Sequence, residues 1–283
     1  MAGVPLFQNR KLVIATMHGK EAVLAPLLQQ ALGVQIVLPQ QLDTDQFGTF
    51  TGERLRTLSP LDAAVAKCKA AMQLTGCTLA VANEGSFGAH PLLGFVNADE
   101  EIVVLVDEEH HLQIAAKELS TVTNFNAATL HSLADLEAFA KAAQFPSHAL
   151  IVRANPTDTT QLVKGITDKE LLHQLASRLL NQQGSLYVET DMRAHYNPMR
   201  MRVIEAAARK LIEKLQRCCP ACGMPGFDVA EVVPGLPCNL CGNETRSTKY
   251  FIKRCPQCGH EEIEWYPHGK ETEDPMYCDA CNP

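Results

Sequence analysis

Over the first three quarters of the chain, short continuous apolar runs alternate with stretches of helical spacing, and that alternation predicts an α/β unit. Residues 11–16 (KLVIAT) and 34–38 read as strands. Between them, residues 21–32 keep Val23, Leu24, Leu27, Leu28 and Leu32 on one side until Gly33 stops the helix. A strand, helix and strand of this length form a βαβ unit with parallel strands. Ser59 and Pro60 open a second helix that ends at Gly76, and the apolar run 79–82 behind it reads as a buried strand. Residues 101–107 and 112–119 pattern as a hairpin, 133–143 and 168–182 as helices, and 148–153 and 186–189 as strands. A last helix starts at Asn197 and Pro198. The expected fold is a mixed sheet with flanking helices over residues 1–217.

The stretch 79–91, LAVANEGSFGAHP, organises this unit. Its second half reads as a loop at the carboxyl end of a strand, where open α/β sheets bind their ligands. There Glu84, Ser86 and His90 stand among Gly85, Gly88 and Ala89, which let backbone approach a ligand. Lys20, at the opening of the first helix, adds a full charge to an anion-attracting helix end. The long segment 43–59 contributes Asp43, Asp45, Glu53, Arg54 and Arg56. Glu53 and Glu84 are candidate oxygen ligands for Mg²⁺ beside bound phosphates, with Glu84 also placed to orient a water. His18, His90, His148 and His195 all lie at predicted strand ends. The segment 191–202 holds Asp191, Arg193, His195, Asn197, Arg200 and Arg202, a pattern suited either to phosphate recognition or to the basic outer face of a helix.

Cysteine distribution changes the picture. Nine of the eleven cysteines fall between Cys218 and Cys281, and eight of them form CxxC pairs: Cys219/Cys222, Cys238/Cys241, Cys255/Cys258 and Cys278/Cys281. Fifteen residues separate the first two pairs and nineteen the last two. Both spacings suit zinc ribbons arranged in tandem, so residues 218–283 are expected to form a small β-rich domain around two structural zinc ions. Four thiolates close a tetrahedral site, which points to structure or partner binding rather than chemistry.

The 283-residue chain carries a formal net charge of -7, and from Cys218 onward five Lys/Arg stand against ten Asp/Glu. That balance argues against a nucleic-acid surface. No apolar run approaches the ~20 residues of a membrane span. A cytoplasmic location is expected, with a phosphorylated small molecule as ligand and a protein as the possible partner of the ribbons.

The motifs ATMHGKE, FGTFTGE, NEGSFGAHP, FPSH, ETDMRAHYNP, PGLPCNLCG and DPMYCDACNP together resemble an uncharacterised bacterial family with a C-terminal zinc ribbon, over nearly the whole chain. Residues 11–125 also resemble, more remotely, the inosine triphosphate pyrophosphatase and Maf superfamily. The order of parts is similar: a strand ending in AT, a lysine loop, a long acidic loop, a helix with a KA motif, an acidic strand end and a hairpin. That resemblance implies Lys20 and Lys67 as phosphate ligands and Glu53 and Glu84 as Mg²⁺ ligands.

The function expected from these readings is Mg²⁺-dependent hydrolysis of a nucleoside triphosphate or related nucleotide. Glu84, Glu53 and His90 would be catalytic, and Lys20, Lys67, Ser86, Arg193 and His195 would bind substrate. Two alternatives stand beside it: a non-enzymatic module that senses a nucleotide or anion, and a metal-dependent hydrolase of another substrate built on His18, Glu84, His90 and Asp191.

Overall fold

Strand β1 (Lys11–Ala15) lies between β2 (Gln35–Val37) and β3 (Leu79–Ala89) and runs parallel to both, while β4 (Asn97–Asp107) and β5 (Leu112–Ser120) extend the sheet antiparallel beyond β3. The structure is a computed structural model that describes residues 4–40, 42, 58–158 and 160–283. Glu53, with Asp43, Asp45, Arg54 and Arg56, therefore lies outside the described residues. The chain divides into two compact units, Met1–Ile212 and Glu213–Pro283.

One expectation fails at the centre of this sheet. Residues 83–89 are not a loop: β3 continues to Ala89, paired with β4 from Leu79↔Asp107 to Ala89↔Asn97. Its polar residues Asn83 and Glu84 looked like a strand end because polarity normally marks solvent. Both are buried. β1 stops pairing at Ala15↔Ala82, so β3 runs on with no β1 neighbour along one edge, and the gap opens at the carboxyl ends of two parallel strands.

Helix α1 (Glu21–Leu32) buries Leu24, Leu28 and Leu32 and ends at Gly33, whose left-handed φ of 68° suits glycine. Helix α2 (Pro60–Thr75) starts at Ser59, whose hydroxyl accepts from the Asp62 N–H at 3.1 Å. Its buried face carries mostly small side chains, Ala63, Ala64, Cys68 and Ala71, and Lys67 falls in the same stripe. Helical spacing thus points a lysine at the sheet. Around it, Ala64, Cys68, Ala71 and Met72 pack with Val13, Ala15, Ala80, Ala82, Val104 and Val106.

A second sheet in this unit has the order β6-β9-β7-β8 and is antiparallel throughout: β6 (Ala127–Leu130), β7 (Leu150–Arg153), β8 (Val163–Ile166) and β9 (Leu186–Thr190). Helices α3 (Leu133–Ala142) and α4 (Lys169–Gln183) share its core through Leu136, Phe139, Leu172 and Leu179. β6 (AATL) and β8 (VKGI) escaped the sequence reading because neither is a continuous apolar run. Helix α5 (Pro198–Gln216) closes the unit and passes into the next at Glu213.

The second unit holds a three-stranded antiparallel sheet, β10 (Asp228–Pro234), β11 (Thr248–Arg254) and β12 (Glu261–Trp265), in that order. Its apolar core is minimal. Phe227 clusters only with the buried Cys219 and Cys255.

Candidate functional site

Beyond the end of β1, three cations and three acids are buried along β3 and β4, on the two faces of the sheet. Lys20 is the N-cap residue of α1 and is 8% exposed; its ammonium donates to the Asn83 carbonyl at 3.3 Å, on the stretch of β3 that β1 leaves uncovered. Among the described residues it has no carboxylate partner within 4 Å. Burial, with the Arg200 guanidinium nearby, pulls Lys20 down to about 7. Lys67 from α2 is in direct ion pair with the Glu84 carboxylate, both side chains nearly enclosed.

The remaining charges lie on the other face of the sheet. Asn83, Gly85 and Phe87 of β3 stand opposite Val103, Glu101 and Asp99 of β4, so these six share one side. Glu101 is fully buried. It accepts from Arg200 Nε at 2.6 Å and from Asn83 Nδ2 at 2.9 Å. Arg200, in the first turn of α5, also donates to the Met192 carbonyl and lies over the Phe87 ring at 5.1 Å. The sequence needs glycine at 85, because an added Cβ there would meet Glu101 Oε1 at 2.5 Å and Arg200 Nη2 at 2.7 Å.

Asp99 is the odd member. It is 1% exposed, and neither of its carboxylate oxygens has a donor among the described residues. Burial, reinforced by Glu101 and opposed by Arg200, lifts it to about 8, so it is mostly protonated at neutral pH. Asn83 Oδ1 is likewise buried without a partner. Asp99 and Glu101 were not singled out from sequence, although NADEE carries them at alternating positions of a strand.

The structure places the other expected residues apart or ties them down. Ser86 is half-buried on the Glu84 side of β3, opposite Glu100. His90 does not converge with Glu84: six residues of extended strand separate them by roughly 20 Å, and its Nδ1 accepts from the Leu92 and Leu93 N–H groups in the β3–β4 turn. Asp191 is fully buried and its carboxylate is engaged by the Gly165 N–H at 3.0 Å and by Arg193 Nη2 at 2.6 Å. Arg193 in turn lies over Tyr196 at 4.7 Å. The set His18, Glu84, His90 and Asp191 is therefore not brought together as a metal site. His18 and His195 do meet, their rings 5.2 Å apart, and both line a cleft of about 750 Å³ with Thr16 and Gln40.

His148 serves α5 instead. It is buried and its Nε2 accepts from the Met199 N–H at 3.2 Å, capping the helix that carries Arg200. Burial holds its pKa below the usual histidine value. The neutral ring therefore contributes stability above about pH 6.5, and that contribution is lost as pH falls through the depressed folded value. Between pH 7.5 and 5.5 the thermal midpoint of the native chain should fall more than that of His148→Gln, which keeps an acceptor and does not titrate. Equal slopes would remove His148 from the acid response.

In the second unit, the eight CxxC cysteines form two groups: Cys219, Cys222, Cys255 and Cys258, and Cys238, Cys241, Cys278 and Cys281, with sulfurs within 4.8 Å of one another in each. Closest S···S distances of 3.6–3.9 Å exceed a disulfide and match the ~3.8 Å edge of a tetrahedron with Zn–S of about 2.3 Å. Backbone N–H groups of Leu240 and Gln257 point at Cys238 and Cys255 sulfurs, and Gly223, Gly242 and Gly259 take left-handed φ at the knuckle turns. Each group is fit to hold one zinc ion.

The pairing, which the spacing left open, is crossed: the first CxxC joins the third and the second joins the fourth. The sheet dictates this. Asp228 at the start of β10 pairs with Arg254 at the end of β11, so the knuckles before β10 and after β11 share one end. Those after β10 and after β12 share the other, where Tyr250 pairs with Trp265.

No curated protein matches the chain. Among solved structures, the crystal structure of protein VC0702 from Vibrio cholerae is similar over 72% of this chain and 94% of its own, at 10% identity and a TM-score of 0.35, which carries no argument about chemistry. The model of a domain of unknown function, DUF6671, matches residues 67–283, a span with Lys67, Glu84, Asp99, Glu101, Arg200 and all eight clustered cysteines. The chain belongs to the DUF6671 family.

Proposed function

We propose that the α/β unit binds a magnesium-bound nucleoside triphosphate or related nucleotide and hydrolyses a phosphoanhydride bond. One observation carries this reading: among the described residues the buried cluster is left with one cation that has no acid, Lys20, and one acid that has no cation, Asp99, at the carboxyl ends of parallel strands. Buried ionisable groups without partners are costly, and they concentrate where a ligand completes them. A polyphosphate would take Lys20, with Lys67 and Arg200 behind it. Asp99 and Asn83 Oδ1 would offer hard oxygens to Mg²⁺ from one face of the sheet, while Glu84 lies on the other face. Bound magnesium would neutralise phosphate charge.

On this reading Lys20 takes up its full proton as the anion arrives, and Glu84, once released from Lys67, orients water. The resemblance of residues 11–125 to inosine triphosphate pyrophosphatases supports the substrate class. The direct Lys67–Glu84 and Arg200–Glu101 pairs favour a second reading, binding without turnover, because both acids are already neutralised internally.

Phosphate and pyrophosphate release from a panel of ordinary and deaminated nucleoside triphosphates decides between them. The expected result is Mg²⁺-dependent turnover that falls on the order of 10²-fold in Glu84→Gln. Tight nucleotide binding with no product would establish the second reading. Neither binding nor turnover by the folded, zinc-loaded chain would sink both.

A further inference from the structure

We infer that the cleft bearing the His18 and His195 rings is a stacking site for a nucleobase, with the Thr16 hydroxyl available to its edge. This rests on the reading of Lys20 as a phosphate ligand and adds what the other end of that ligand must be.

Four observations in one place carry it. First, the cleft of about 750 Å³ is bounded by Thr16, Met17, His18, Pro39, Gln40 and His195, with no acidic residue among its described walls. That volume lies in the range of small-molecule sites. Second, the His18 and His195 rings stack at 5.2 Å with only 22° between their planes, and Tyr196 continues the aromatic surface 4.0 Å from His195. His195 is exposed between these two rings, so a ligand in the cleft can reach the platform at its His195 edge.

Third, His18 holds a left-handed backbone, φ 39°, immediately before Gly19 at φ 73°. A non-glycine residue in that region is strained, and such strain gathers where a side chain must be held in place for binding. Here it holds the ring against His195. Fourth, Thr16 Oγ1 is buried with no hydrogen-bond partner among the described residues. An unsatisfied hydroxyl in the wall of a cleft can donate to, or accept from, the edge of a bound base.

Electrostatics agree with the geometry. Burial, with Arg193 alongside, holds the His195 pKa below the usual value, which keeps the imidazole neutral and able to stack at physiological pH. Lys20 follows His18 by two residues, so one short segment would serve both ends of the ligand: a ring on the imidazole and phosphates on the ammonium.

The test separates the base from the phosphates. Calorimetric titrations of the full, zinc-loaded chain would use Mg²⁺ with inorganic tripolyphosphate, ATP or ITP, on the native protein, His195→Ala and His195→Phe. Stacking on an aromatic platform contributes about 1–3 kcal/mol per base, so His195→Ala should weaken a nucleoside triphosphate about tenfold. Tripolyphosphate affinity should not change, and His195→Phe should restore the nucleotide. Equal weakening of both ligands, or nucleotide binding no tighter than tripolyphosphate in the native protein, would overturn the stacking site while leaving the phosphate reading intact. Failure of the native chain to bind any of the three would overturn both.

Discussion

Arg200→Met is expected to destabilise the α/β unit by about 3–5 kcal/mol, because it strands the fully buried Glu101 carboxylate without its cation. For a unit of this size that corresponds to roughly 10 °C in thermal midpoint. The loss should be large because Asp99 stands beside Glu101 and offers it no positive charge. The double variant Arg200→Met with Glu101→Gln should recover much of the stability, since it removes the stranded charge along with the pair. Arg200→Lys should not, because a single ammonium cannot reproduce the fork that reaches both Glu101 and the Met192 carbonyl. Urea denaturation checks all three; a loss below about 1 kcal/mol in Arg200→Met would show a solvent-screened pair.

Stripping zinc should unfold residues 213–283 outright. That unit has almost no apolar core, and structural zinc in small domains contributes about 10–16 kcal/mol of apparent binding free energy that is also folding free energy. The chain contains one tryptophan, Trp265 on β12, packed 4.6 Å from Tyr250, so its fluorescence reports this unit alone. A strong chelator should change the intensity of that emission as the half-exposed indole loses its Tyr250 contact, and metal analysis of the native chain should give two zinc ions. The crossed pairing makes a sharper claim. Cys222→Ser with Cys255→Ser damages a single site and should leave one zinc ion bound, whereas Cys222→Ser with Cys241→Ser damages both and should leave none. Tandem pairing would exchange those two outcomes.

The pattern of apolar runs made the first βαβ unit, the β4–β5 hairpin and the cysteine-rich unit legible, because each has a period or spacing long enough to read. Lys20 was picked out from its place at a helix start, whereas Lys67 was named only through the family resemblance and not from its helix pattern. What sequence reasoning missed shares one cause: burial of charge by long-range partners. Asn83 and Glu84 looked like a loop because nothing local announces Lys67 as a counter-charge. Glu101 looked like the polar start of a strand because Arg200, its partner, is ninety-nine residues away. The pairing of the CxxC knuckles was hidden for a related reason, since linear spacing ranks neighbours while the strand directions decide which ends meet.

Those strand directions also impose an order on biosynthesis. The first two knuckles are made before the third exists, and their four thiols, with fifteen residues between the two CxxC pairs, can close around a zinc ion by themselves. The finished sheet places those four cysteines at opposite ends, so any ion captured early must change two of its ligands as β11 docks on β10. Were an ion captured that early, ligand exchange at zinc would be a step of folding in this unit, and a chain interrupted before Cys258 would hold its metal in the wrong set of sulfurs.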